Sequence, residues 1–89
     1  MWFCQAGRKR VGYVRVDRGR WVSVLVADDM RGKGLGLVLL EKARREVKGP
    51  LFALIRKENV GSRQLFLKAG YGYISTGGSE HVVMLKEEL

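Results

Sequence analysis

The sequence predicts an α+β domain: a mixed, mostly antiparallel sheet with two helices, in the order β-β-β-α-β-α-β-β. Three observations carry this. Short segments rich in β-branched and aromatic residues occur near both ends of the chain, two central stretches follow helical spacing, and glycine, asparagine or proline marks the junctions.

Taken in order, residues 2–6 and 11–17 read as strands separated by "GRKR". "VGYVRV" alternates, placing Val11, Tyr13 and Arg15 on one face and Gly12, Val14 and Val16 on the other, which predicts a hairpin. "DRGR" makes a second turn, and Trp21 to Ala27 reads as a third strand whose Val24-Leu25-Val26 run predicts burial on both faces. From Gly34 the period changes: Leu35, Leu39, Ala43 and Val47 recur at intervals of four while Glu41, Lys42, Arg44, Arg45 and Lys48 mostly face away, as in an amphipathic helix. "KGP" stops it, and "LFALI" follows as a buried strand. A strand, a helix and a strand imply a right-handed crossover between parallel neighbours. Asn59 suits the cap of a second helix over 60–69 ending at Gly70, and "YGYIST" and "HVVMLK" form a final strand pair around "GGSE".

Eighty-nine residues make one domain, 1–89. A chain this short buries only about 60% of the surface it exposes when unfolded, so the core is small. With 46% apolar and 29% charged residues the composition is that of a folded chain, and no apolar run approaches the roughly 20 residues that span a bilayer. A globular, cytoplasmic protein without membrane insertion is expected. "MWFCQAGRKR" lacks a charged region followed by a longer apolar one, so no secretory signal is expected there. Cys4, the single cysteine, reads as a small buried hydrophobe, and no metal-ligand pattern is present.

Seventeen Lys and Arg against nine Asp and Glu give a net charge of +8, which favours anionic partners without naming them. "RGKGLG" narrows the choice, because it sits where a strand ends and a helix begins. The first amides of a helix lack internal acceptors and carry the positive end of its dipole, so a phosphate sits well there if side chains leave room. Gly32, Gly34 and Gly36 remove that block, and Arg31 and Lys33 add charge. The spacing is neither the dinucleotide fingerprint nor a Walker loop. Turn geometry alone is the competing reading of the glycines.

Arg31-Gly32-Lys33-Gly34-Leu35-Gly36 resembles the R/Q-x-x-G-x-G/A signature of the GNAT superfamily of acyl-CoA-dependent N-acetyltransferases. Asn59 to Tyr71, "NVGSRQLFLKAGY", resembles the same family's N-x-x-A-x-x-L-Y-x-x-x-G-F segment. Two motifs at the family's separation are far more specific than either alone, and the resemblance covers nearly the whole chain. It implies a GNAT-like fold whose central parallel strands splay apart, with acetyl-CoA or another acyl-CoA as co-substrate and no metal. The diphosphate would lie on the amides of Arg31, Gly32, Lys33, Gly34, Leu35 and Gly36. The pantetheine arm would run between the strands Trp21–Ala27 and Leu51–Arg56, held by main-chain atoms near Leu25, Val26 and Ala27. Asn59, Ser62 and Phe66 would complete the coenzyme site.

The reaction so implied is attack of a neutral amine on the thioester, with a base taking one proton and an acid protonating the thiolate. The family commonly places a tyrosine where this chain has Phe66, which has no proton to give. Tyr71 and Tyr73 are the substitute candidates for the acid. Asp28, Asp29, Glu58 and His81 are the titratable candidates for the base, each with a structural role as competitor. The chain also begins at the family's second strand, so the strand and two helices that wall the acceptor site are expected to be missing: either a neighbouring subunit covers the gap, a homodimer being the favoured form, or a large acceptor brings its own surface, or the chain is a fragment or inactive binder that needs a partner. Three functions are thereby weighed: acyl transfer to an amine acceptor that the sequence does not identify; coenzyme A binding without catalysis; and, as the weakest, nucleic-acid binding driven by "GRKR" and "RVDRGR".

Overall fold

The computed structural model describes residues 1–76 and 78–87; Gly77, part of the expected "GGSE" turn, lies outside them. The elements follow the expected order: β1 (Trp2–Ala6), β2 (Lys9–Val16), β3 (Val22–Val26), α1 (Leu35–Glu46), β4 (Leu51–Arg56), α2 (Val60–Lys68), β5 (Gly72–Thr76) and β6 (His81–Lys86), with a short 3-10 turn at Asp28–Met30 after β3. β2 starts at Lys9 rather than Val11, because Ala6 pairs with Lys9 and the first hairpin closes tightly through Gly7 and Arg8.

The single mixed sheet expected from the sequence is instead two three-stranded antiparallel sheets, β1-β2-β3 and β4-β6-β5. A hairpin rule foresees the β5–β6 pairing, seen at Gly72 with Leu85 and Thr76 with Val82. It does not foresee that the other edge of β6 takes β4, Ala53 lying opposite Met84. Between the sheets, one parallel bridge joins Trp21 to Phe52, where the Phe52 N–H donates to the Arg20 carbonyl at 2.8 Å. The Arg20 guanidinium reinforces this corner, donating to the carbonyls of Lys48 at 2.6 Å and Pro50 at 3.3 Å. Past that corner β3 and β4 part, with no further bridge among the described residues. Trp21 therefore precedes β3 rather than opening it.

Alternation along each strand sends one set of side chains to the helices. Val14, Val22, Leu51, Ala53, Ile55, Val82 and Met84 join Leu39, Leu40, Ala43 and Phe66 in one apolar core. Leu40, Leu51, Met84 and Val14 are fully buried, each stabilising by roughly 1.5–3 kcal/mol. The opposite set stays in solvent, including Phe3, Leu25 and Leu54. Burial of β3 on both faces, expected from its apolar run, thus fails at Leu25, which is 52% exposed; Leu54 likewise breaks the expected full burial of β4. With no second layer on that face, a strand buries only alternate residues.

Candidate functional site

Where β3 and β4 part, a groove of about 490 Å³ opens. Val24, Leu25 and Val26 line one side, Met30, Arg31, Gly32 and Gly34 of the loop and the first turn of α1 a second, and α2 a third. Gly32 and Gly34 hold φ of +79° and +80°, and a Cβ built on either would meet nothing within 4 Å. Left-handed backbone is what glycine provides there, and the open space leaves the neighbouring amides accessible. Gly34 is the residue before α1 and supplies no side-chain cap, so the amides of the first turn face the groove without an internal acceptor. Gly36 works differently. It lies inside the helix, and a Cβ on it would come within 2.7 Å of Leu65 Cδ2, so its lack of a side chain lets α1 and α2 approach.

Of the loop's two cations, Arg31 lines the groove, its Nη2 3.2 Å from Asp28 Oδ1 and its Nε donating to the Val26 carbonyl at 3.4 Å. Lys33 does not line it; its Nζ lies 4.0 Å from Met30 Sδ. The expected role of β3 also needs correction. The Ala27 N–H donates to the Val11 carbonyl at 2.8 Å, and main-chain groups alternate sides along a strand. Leu25 and Ala27 therefore turn their main chains toward β2, while Val24 and Val26 turn theirs to the gap. Leu25 lines the groove by its side chain alone, and Ala27 does not line it.

Asn59 caps α2, its Oδ1 accepting from the Ser62 N–H at 3.1 Å, and both residues line the groove. Phe66 does not: it is 3% exposed, its ring edge-on to Tyr71 at 4.8 Å between centroids. The Tyr71 hydroxyl is buried with no hydrogen-bond partner among the described residues, and burial pushes its phenol up to about 12. Tyr73 sits half-exposed on β5, so neither tyrosine is brought to the groove lining. Three of the four base candidates are ion-paired on the surface instead. Asp28 meets Arg31, Asp29 lies 3.6 Å from Lys9, and Glu58 lies 2.8 Å from Arg56; His81 opens β6 opposite Arg56.

The groove therefore assembles Leu25, Val26, Arg31, Gly32, Gly34, Leu35, Gly36, Asn59 and Ser62 of the expected set. It adds Val24, Met30, Leu37, Gly61, Gln64, Leu65 and Lys68. Residues 61, 64, 65 and 68 recur at the spacing of one helix face, the signal by which they could have been found. No cluster of His, Cys, Asp or Glu fit to hold a metal ion occurs among the described residues. Open amides, one guanidinium and an apolar floor ending at an unpaired strand edge fit a diphosphate joined to an extended amide-bearing arm.

An acetyltransferase (GNAT) family model matches residues 1–71, and the chain belongs to that family. None of the curated proteins matches it. The fold is similar to that of a GNAT-family acetyltransferase from Streptococcus pneumoniae, with a TM-score of 0.77 and 19% identity over 98% of this chain and 65% of that one. It is also similar to a Bacillus subtilis acetyltransferase in complex with CoA, with a TM-score of 0.67 and 19% identity over 96% and 74% of the two chains. A Sinorhizobium meliloti phosphinothricin acetyltransferase in complex with AcCoA gives a TM-score of 0.66 and 21% identity over 89% and 55%. The chain spans only 65% and 55% of the Streptococcus and Sinorhizobium proteins. At such identities the likeness is one of fold.

Proposed function

We propose that this chain is an acyl-CoA-dependent N-acyltransferase that moves an acetyl group, or another acyl group, from its CoA thioester to a primary amine. The observation that carries the reading is the uncapped, glycine-opened first turn of α1 beside the parting of β3 and β4. The loop amides and Arg31 would hold the diphosphate, and the gap-facing main chains of Val24 and Val26 would hold the arm as an added strand does.

The coenzyme supplies an activated thioester. In the transfer a C–N bond forms as the amine attacks the carbonyl carbon and the C–S bond breaks; the amine's proton passes to water or a base, and the thiolate takes one up. The chain's main contribution is positioning, which a site can supply without a dedicated acid. Tyr71 and Tyr73 remain its only phenols near the second motif, but the geometry supports neither as the donor, since both lie outside the groove lining.

A second reading, coenzyme A binding without turnover, is favoured by Phe66, which puts a buried ring where the family's second motif carries a hydroxyl. Release of free thiol from acetyl-CoA, measured against a panel of amines, polyamines, amino acids and basic peptides, decides between them. Turnover with one class supports the enzyme; measurable acetyl-CoA binding with turnover on none supports the binder. The homodimer belongs to the same proposal, supported by the exposed Phe3 and Leu54 on the helix-free face and by β5, exposed along its whole length; sedimentation velocity tests it. A cytoplasmic location rests on the sequence alone.

A further inference from the structure

Among the residues that line the groove, the charged ones are Arg31 and Lys68, and no carboxylate joins them. Their situations differ. Arg31 is tied to Asp28 and to the Val26 carbonyl beside the loop amides. Lys68 is the last residue of α2, one helical turn past Leu65, the residue that packs on Gly36, and it has no ion-pair or hydrogen-bond partner among the described residues. A lysine at a helix C-terminus gains from the dipole wherever it points, but this one is turned into the groove. Leu35, Leu37 and Leu65 line the same groove, Leu65 packing against Gly36. The groove thus has two places that attract anions, one at the glycine loop with Arg31 and one at Lys68 on α2.

Two such places in one groove suit a ligand that carries two separate phosphate groups on a single sugar. We propose that Lys68 recognises the 3′-phosphate of the coenzyme's ribose, while the loop amides hold the diphosphate, so that the site distinguishes coenzyme A from 3′-dephospho-coenzyme A. The inference rests on the acyl-CoA reading above and adds a selectivity to it. An ammonium on a flexible stem suits a terminal phosphate, which accepts from many directions.

Calorimetric titration of the full chain with coenzyme A and with 3′-dephospho-coenzyme A tests it, in the unaltered protein and in Lys68→Ala and Lys68→Arg. The unaltered protein is expected to prefer coenzyme A by roughly tenfold, as a charge-assisted contact in a half-open groove provides. Lys68→Ala should lose that preference by weakening the coenzyme A affinity alone, and Lys68→Arg should keep most of it. Equal preference in the unaltered protein and Lys68→Ala, an unaltered protein with no preference, or an equal loss for both ligands in Lys68→Ala would each overturn the assignment while leaving the coenzyme site in place. Failure of the unaltered protein to bind either ligand would instead overturn the coenzyme reading itself. Circular dichroism of each variant guards against a folding artefact, since an exposed last helical residue is dispensable to the core.

Discussion

Trp21 and Phe52 form the only bridge between the two sheets among the described residues, their rings 5.6 Å apart and tilted 43°. Arg20 locks this corner with its carbonyl and its guanidinium, at a φ of 67° unusual for a residue with a side chain. Arg20→Ala removes the guanidinium bonds and keeps the strain; Arg20→Gly removes both. Urea unfolding should find Arg20→Ala less stable by about 1–2 kcal/mol, with Arg20→Gly recovering part of that loss. Equal stability of Arg20→Ala and the unaltered protein would show that the corner holds without its clamp.

Gly34→Glu puts bulk and negative charge at the proposed diphosphate cradle. Because the position is open, the fold should survive with a strain cost of about 1 kcal/mol, while acetyl-CoA affinity falls by on the order of a hundredfold or more. Gly34→Ala carries the same strain without the charge. Calorimetry that finds unaltered affinity in Gly34→Glu would move the diphosphate away from this loop.

At Gly36 the constraint is contact. Gly36→Ala forces the Leu65 side chain aside, at an expected cost of about 1–3 kcal/mol. Leu65→Ala makes room, so the double variant should be less destabilised than the sum of the two single changes. Strict additivity in chemical denaturation would mean that the helices do not meet there.

Tyr71→Phe deletes a buried hydroxyl that has no partner among the described residues. Stability at neutral pH should stay level or rise by up to about 1 kcal/mol, and acyl transfer should persist if the phenol is not the acid. The alkaline limb carries a further signature. The folded-state value is raised from 10.0 to about 12 by burial, so the associated stability is present below pH 10 and is lost as pH climbs through about 12. Thermal melts between pH 9 and 12, on the order of the window that shift defines, should show a shallower decline in Tyr71→Phe. Strong destabilisation of this variant at pH 7 would reveal an unseen partner for the hydroxyl.

Much of this was readable in the residues because few alternatives satisfy them. Only glycine comfortably holds the backbone found at Gly32 and Gly34, and Asn59 places its carbonyl oxygen where the capping rule requires. Other features depend on partners that a linear reading does not see. An apolar run such as Val24-Leu25-Val26 looks the same whether its middle residue enters a core or lines a groove, and which of its main chains face the gap depends on the register with β2. The position of β6 between β4 and β5 likewise follows from long-range pairing. Lys68 reads as ordinary helix-end charge until the groove beside it is seen.

The missing cap at the start of α1 ties the fold's own integrity to what occupies the groove. A bound phosphate would lend the helix the acceptors its own sequence withholds, making the ligand a detachable part of the secondary structure. Heat resistance should then track coenzyme supply, by about 2.7 kcal/mol at a hundred times the dissociation constant, with amide exchange slowing first in the turn that follows Gly34.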